Sequence, residues 1–280
     1  MNIGPDGLER IDSPATEFYR LYNVAQDLAE KHQYAAAVPA WRQALELNPE
    51  DPRAHNSLGV ALAATGKLDD AMGEYHRSLE LNDASSLAHN NLGSALAEQG
   101  RMDEALAEFG KAVELNPDNA RAHANLGAAL PQKGRAGEGL EHLRRGVELD
   151  PALADGHNNL GIALARAGML DEAAEHLRKA TELAPQAVEY RYNFGRVLAA
   201  KGRFADAAEQ FEQASKLSGK SEPAILEMLA AMYAETGRYR DAVETARRGL
   251  LLATEQGNTS AAAELKSSLD RYEALARGGA

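Results

Sequence analysis

Apolar side chains recur along this chain at i, i+3, i+4 and i+7, the spacing of one face of an α-helix, and the stripes come in pairs. The window 86–118, SLAHNNLGSALAEQGRMDEALAEFGKAVELNPD, shows the pattern at its clearest and returns in weaker form before and after itself with a period of 34 residues. Starts at 18, 52, 86, 120, 154, 188 and 223 define seven copies: 18–51, 52–85, 86–119, 120–153, 154–187, 188–221 and 223–256. In the first stripe, position 7 of the copies is Val24, Leu58, Leu92, Leu126, Leu160, Phe194 and Leu229, and position 11 is leucine in six copies and Tyr233 in the last. In the second stripe, positions 20, 24 and 27 are apolar, with Trp41, Tyr75, Phe109, Leu143, Leu177 and Phe211 at position 24. Each copy therefore predicts two amphipathic helices.

Two positions are small in every copy. Position 8 is Ala25, Gly59, Gly93, Gly127, Gly161, Gly195 and Ala230, and position 20 is Ala37, Ala71, Ala105, Gly139, Ala173, Ala207 and Ala242. Small side chains at both places let two antiparallel helices cross closely, within about 8–10 Å of each other. Between the helices stands a turn glycine, at Gly66, Gly100, Gly134, Gly168, Gly202 and Gly237, suited to the left-handed conformation that ends a helix; His32 holds that place in the first copy. Pro49, Pro117, Pro151 and Pro185 follow the second helix and stop it. Pro131 predicts an early end to the first helix of the fourth copy, where Gly146 also replaces the usual alanine, and Pro39 predicts a tilted or shortened second helix in the first.

The pattern resembles the tetratricopeptide repeat, over residues 18–256 of the 280. The resemblance implies an all-α protein, a right-handed α-solenoid of seven helix pairs. Residues 257–280 supply a C-terminal capping helix and tail, with Leu265, Leu269 and Tyr272 on one face to cover the last apolar surface. Residues 1–17, with Gly4, Pro5, Gly7 and Pro14, fit no repeat and read as a flexible leader.

In this family the first helix of each pair lines the concave surface through positions 2, 5, 6, 9, 12 and 13. Position 6 is Asn23, Ser57, Asn91, Asn125, Asn159, Asn193 and Met228, and position 5 adds Tyr22, Asn56, Asn90, Asn158 and Tyr192. An amide offers donors and an acceptor, so such a row can pair with a passing backbone without reading its side chains. Helix pairs stacked roughly 10 Å apart match three residues of an extended ligand at about 3.3 Å each. The row is similar to the asparagine ladder of O-linked N-acetylglucosamine transferases, which holds extended protein substrates. Tyr19 and Tyr22 at one end of the row are the candidate hot spots. Arg53, Arg121, Arg166 and Arg196 are interspersed with Glu30, Glu98, Asp155 and Glu189, so the groove has no single sign. The lysine and arginine clamp by which some chaperone-adaptor relatives seize a C-terminal carboxylate has no counterpart here.

Composition narrows the chemistry. The formal charge is −12, from 42 acidic and 30 basic residues, which repels phosphate backbones and disfavours nucleic acid, RNA included, while basic partners are accommodated. The partner expected is thus a protein or peptide, extended or basic. There is no cysteine for a disulfide, a thiolate metal site, a nucleophile or a lipid anchor. No basic and apolar leader and no 18-residue apolar run occurs, so membrane insertion is not expected and the cytoplasm is. Histidines recur at position 4, as His55, His89, His123 and His157. Zinc ligands must lie about 2 Å from one ion, whereas these stand roughly 10 Å apart by helix spacing, so they predict packing between repeats and no metal. No GxxxxGK[ST], GxSxG or HExxH occurs, and carboxylates such as Glu74, four residues from Ser78, fall on polar helix faces. No catalytic residue and no cofactor is expected; the alternative is a substrate-recruiting arm of a larger enzyme such as a glycosyltransferase.

Overall fold

The structure is a computed structural model that describes residues 13–219 and 222–278. Among these the regular structure is entirely helical, with fifteen α-helices, one 3-10 turn and no strand. The chain divides into two compact units, Met1–Lys133 and Gly134–Ala280.

The first unit contains α1 (Pro14–Glu30), α2 (Tyr34–Leu47), α3 (Pro52–Ala64), α4 (Leu68–Leu81), α5 (Ser86–Glu98), α6 (Met102–Leu115) and α7 (Ala120–Ala129), the last running into a 3-10 turn (Leu130–Lys133). Helices α1 and α2, α3 and α4, and α5 and α6 pack as pairs, and each second helix also packs on the next pair's first. The first helices α1, α3, α5 and α7 touch one another in succession, so they form a row. In the second unit, α8 (Ala136–Leu149) packs on α9 (Ala154–Arg166). Three pairs follow: α9 with α10 (Leu170–Leu183), α11 (Val188–Ala200) with α12 (Phe204–Leu217), and α13 (Pro223–Glu235) with α14 (Tyr239–Glu255). Helix α15 (Thr259–Gly278) lies on α14 and α13 and buries Leu265, Leu269 and Tyr272.

The small residues at position 8 are required by contact within a pair. A Cβ on Gly59 would stand 2.5 Å from the Tyr75 ring, one on Gly93 2.8 Å from Phe109, and one on Gly161 2.5 Å from Leu177. Real Cβ atoms do not approach that closely. The large position-24 side chain of the second helix thus sits directly on the backbone of the first, and fixes how near the two lie. The turn glycines hold φ between +72° and +81°, and His32 holds the same conformation at +56° with a side chain in place.

Two expectations change in detail. Helix α1 begins at Pro14, inside the segment read as a leader, because Ser13 caps it: its Oγ accepts from the Thr16 N–H at 3.2 Å, and a proline suits the first turn. Residues 1–12 of that leader, with 220–221 and 279–280, lie outside the described residues. Helix α2 is not shortened by Pro39; it keeps the 14 residues of α4 and α6. Pro39 and Ala35, whose carbonyl loses its donor, are both exposed, and water can serve that carbonyl. Pro131 does end α7 after 10 residues and falls within the 3-10 turn.

Candidate functional site

The rows of first helices bring the asparagines of adjacent repeats together in a regular way. Asn91 Nδ2 donates to Asn56 Oδ1 at 2.9 Å, Asn125 Nδ2 to Asn90 Oδ1 at 2.9 Å, and Asn193 Nδ2 to Asn158 Oδ1 at 3.0 Å. Position 6 of one copy thus bonds to position 5 of the copy before it. Asn90 and Asn158 are 5% and 3% exposed, so these position-5 amides serve as struts between repeats. The position-6 residues Asn91, Asn125, Asn159 and Asn193 are half-buried. Asn91, Asn125 and Asn193 each commit N–H to the strut, and their Oδ1 atoms have no hydrogen-bond partner among the described residues. Asn159 accepts from Asn158 at 3.5 Å, and Asn23 is exposed. The period of 34 put positions 5 and 6 in one row; the division between them depends on a contact across 35 residues that periodicity does not reveal.

The aromatic end of the row divides in the same way. Tyr19 is 57% exposed. Tyr22 is half-buried, edge-on to Trp41 with ring centroids 4.7 Å apart, and burial raises its hydroxyl above the usual tyrosine pKa. The Arg53 guanidinium stands 5.8 Å from the Tyr22 centroid and pairs with Asp51 at 3.3 Å, which also caps α3. Leu87 and Val60, at the groove-lining positions 2 and 9, are 62% and 36% exposed and lend this face apolar surface. In the second unit Tyr192 packs edge-on against Phe211 at 5.7 Å, with the Arg196 guanidinium 5.9 Å from its centroid. Arg121 is exposed and has no ion pair among the described residues.

The position-4 histidines work inside the fold. His55 Nδ1 lies 2.6 Å from Glu74 Oε2 while its Nε2 donates to the Pro49 carbonyl at 3.0 Å, and His89 repeats this with Glu108 at 2.5 Å and the Asp83 carbonyl at 3.0 Å. Each ring ties the first helix to its partner helix and to the preceding turn. Glu74 therefore belongs to His55 and not to Ser78, whose hydroxyl donates to the Pro52 carbonyl at 2.7 Å. His123 Nε2 donates to the Pro117 carbonyl at 3.0 Å, and His157 Nε2 to the Pro151 carbonyl at 3.2 Å, but His157 Nδ1 faces His176 Nδ1 at 2.9 Å, where His55 and His89 have a carboxylate. Burial lowers both of these imidazoles below the usual histidine range, and at His176 the neighbouring His157 adds to the effect. No helix among the described residues is long and apolar enough to cross a membrane.

Comparison with known proteins agrees with this architecture. Models for the tetratricopeptide repeat match residues 22–86 and 192–261 and residues 153–220, and a TPR-repeat model matches 93–134. No curated protein is similar enough in sequence to count as a match. Among solved structures, the anaphase-promoting-complex assembly Cut9–Hcn1 superposes with a TM-score of 0.71 at 17% identity, over 93% of this chain and 50% of that one. The present chain thus spans half the length of that relative. PilF of Pseudomonas aeruginosa gives 0.64 at 20% identity, over 79% and 99% of the two chains. TTC0263, a thermophilic TPR protein of Thermus thermophilus, gives 0.54 at 23%, over 66% and 98%. At these identities the likeness is one of fold.

Proposed function

We propose, from the premise that this chain belongs to the tetratricopeptide-repeat family of protein-interaction scaffolds, that the first-helix face of its first unit holds an extended segment of a partner protein. One observation carries the reading: the position-6 asparagines Asn91 and Asn125 are braced by the residues behind them and keep amide oxygens facing no partner among the described residues. A braced amide loses little freedom on binding, and the free Oδ1 is suited to accept a backbone N–H. Tyr19, Leu87 and Val60 add exposed apolar area beside the row, where a ligand's alternate side chains would rest. Arg121, on α7 of the same unit, adds an exposed cation. The cytoplasm is the compartment we assign to this activity.

Variants that remove the same struts from either side test the reading. Changing Asn91 and Asn125 to alanine deletes both the strut and the ligand-facing oxygens, whereas changing Asn56 and Asn90 deletes only the strut. With a partner captured from the source cell and measured by titration calorimetry, the first pair should weaken binding by roughly tenfold more than the second, the size expected for two hydrogen bonds. Equal losses would leave the asparagines as struts alone.

The same row supports a second reading, in which the face recruits protein substrates for a larger enzyme such as a glycosyltransferase. That reading requires a catalytic domain in the natural polypeptide beside these repeats, and the gene's reading frame decides it.

A further inference from the structure

A cleft of about 680 Å³ opens between α14 and α15, lined by residues of these two helices alone, and its walls carry a charge opposite to that of the chain. Arg240, Glu244, Arg247 and Arg248 stand at i, i+4, i+7 and i+8 on α14, and so share one face of it. Burial of Leu265, Leu269 and Tyr272 seats α15 so that Glu273 and Arg277 form the opposite wall. Val243 and Ala276 give the cleft an apolar floor. Four guanidiniums thus face two carboxylates, in a chain of net charge −12.

The four arginines are not equivalent. Arg247 and Arg277 both pair with Glu273, at 2.5 and 3.3 Å, and Arg247 in particular holds that carboxyl below the usual glutamate range. Arg240 and Arg248 have no ion pair among the described residues. Eight residues of helix separate them, about 12 Å at 1.5 Å per residue. An extended chain covers that distance in about four residues at ~3.3 Å each, and side chains four apart point to the same side. Glu244 lies midway between the two and repels a third carboxylate.

We propose that this cleft is a second binding site, for a short acidic segment of a partner protein that presents carboxylates four positions apart with a neutral or basic residue between them. Guanidinium suits the recognition of a planar carboxylate. A continuous polyanion such as RNA suits the cleft poorly, since it would meet Glu244, Glu273 and the acidic remainder of the chain. The proposal is independent of the first-helix face.

Fluorescence polarisation on the full chain tests it. The probe is a labelled Ser/Gly peptide with two glutamates four positions apart and a lysine midway; the control exchanges the two charge types. The probe should bind saturably and the control should not. Arg240→Glu with Arg248→Glu should weaken the probe by at least about tenfold, as loss of charged hydrogen bonds implies, and Arg240→Gln with Arg248→Gln by less. Both changes lie on exposed positions, and unchanged circular-dichroism melts would show that the fold persists. Asn91→Ala with Asn125→Ala should leave the probe's affinity unaltered, which separates this site from the asparagine row. The idea is overturned by any of three results: no saturable binding, indifference to the arginine changes, or an oligouridine that binds as tightly as the glutamate peptide.

Discussion

At the scale of single residues, the histidine bridges show how the residue opposite the ring changes a repeated contact. His55 and His89 face carboxylates, but His157 faces His176. Burial lowers the pKa of both members of this pair, and Arg144 and Lys179 nearby act in the same direction, against Glu172, Glu175 and Asp150. His142, also in the second unit, is lowered by burial as well. Because the folded values lie below the unfolded histidine value of about 6.5, the unfolded chain takes up protons first as pH falls. The stability these groups contribute is therefore complete above pH ~6.5 and is lost as pH drops through that value towards the folded ones. The second unit should melt at a lower temperature at pH 5.5 than at pH 7.5, values chosen to lie about one unit either side of that pKa. His176→Glu places a carboxylate opposite His157, as opposite His55 and His89, and should narrow the difference. An unchanged difference in the variant would show that the pair does not set the pH response. The histidine row was legible in the sequence as packing; the partner of each ring was not, because it lies 19 residues away on the second helix.

At the scale of elements, the two units start their first helices differently. In the first unit Ser13, Asp51, Ser85 and Asn119 each accept a backbone N–H at the helix start. In the second unit the corresponding residues of α9, α11 and α13 are Leu153, Ala187 and Glu222, and none makes a side-chain cap bond. Ala187 already has the extended backbone of an N-cap, with φ −76° and ψ 106°. Ala187→Asp should satisfy an orphan N–H and stabilise the chain by about 1 kcal/mol, read as a higher urea midpoint without a change in slope; no shift would mean that water already serves that end. Helix boundaries of this kind were legible wherever a turn glycine or a following proline stood. Two were not. Ser13 caps a helix ahead of the first repeat period, and the effect of Pro39 depends on whether the bereft carbonyl is exposed, which only the packed pair decides.

At the scale of the whole molecule, stability is assembled from neighbours. Within each unit a helix pair touches chiefly the pair before and the pair after it, and such chains behave as a sum of unit and interface contributions. Damage should then remain near its source. Gly93→Val provides a measure, since its Cβ would already stand 2.8 Å from the Phe109 ring and the extra methyls force α5 away from α6. Overpacking of this kind costs about 1–3 kcal/mol. Hydrogen exchange followed by mass spectrometry should show faster exchange in α3–α7, while α11–α15 keep the protection of the parent chain. Uniform loss across all fifteen helices would mean that the molecule opens as one cooperative body. The prediction bears on binding as well: if opening stays local, the acidic-peptide cleft between α14 and α15 should survive Gly93→Val with its affinity intact, while the asparagine struts of the first unit, which span α3, α5 and α7, should not.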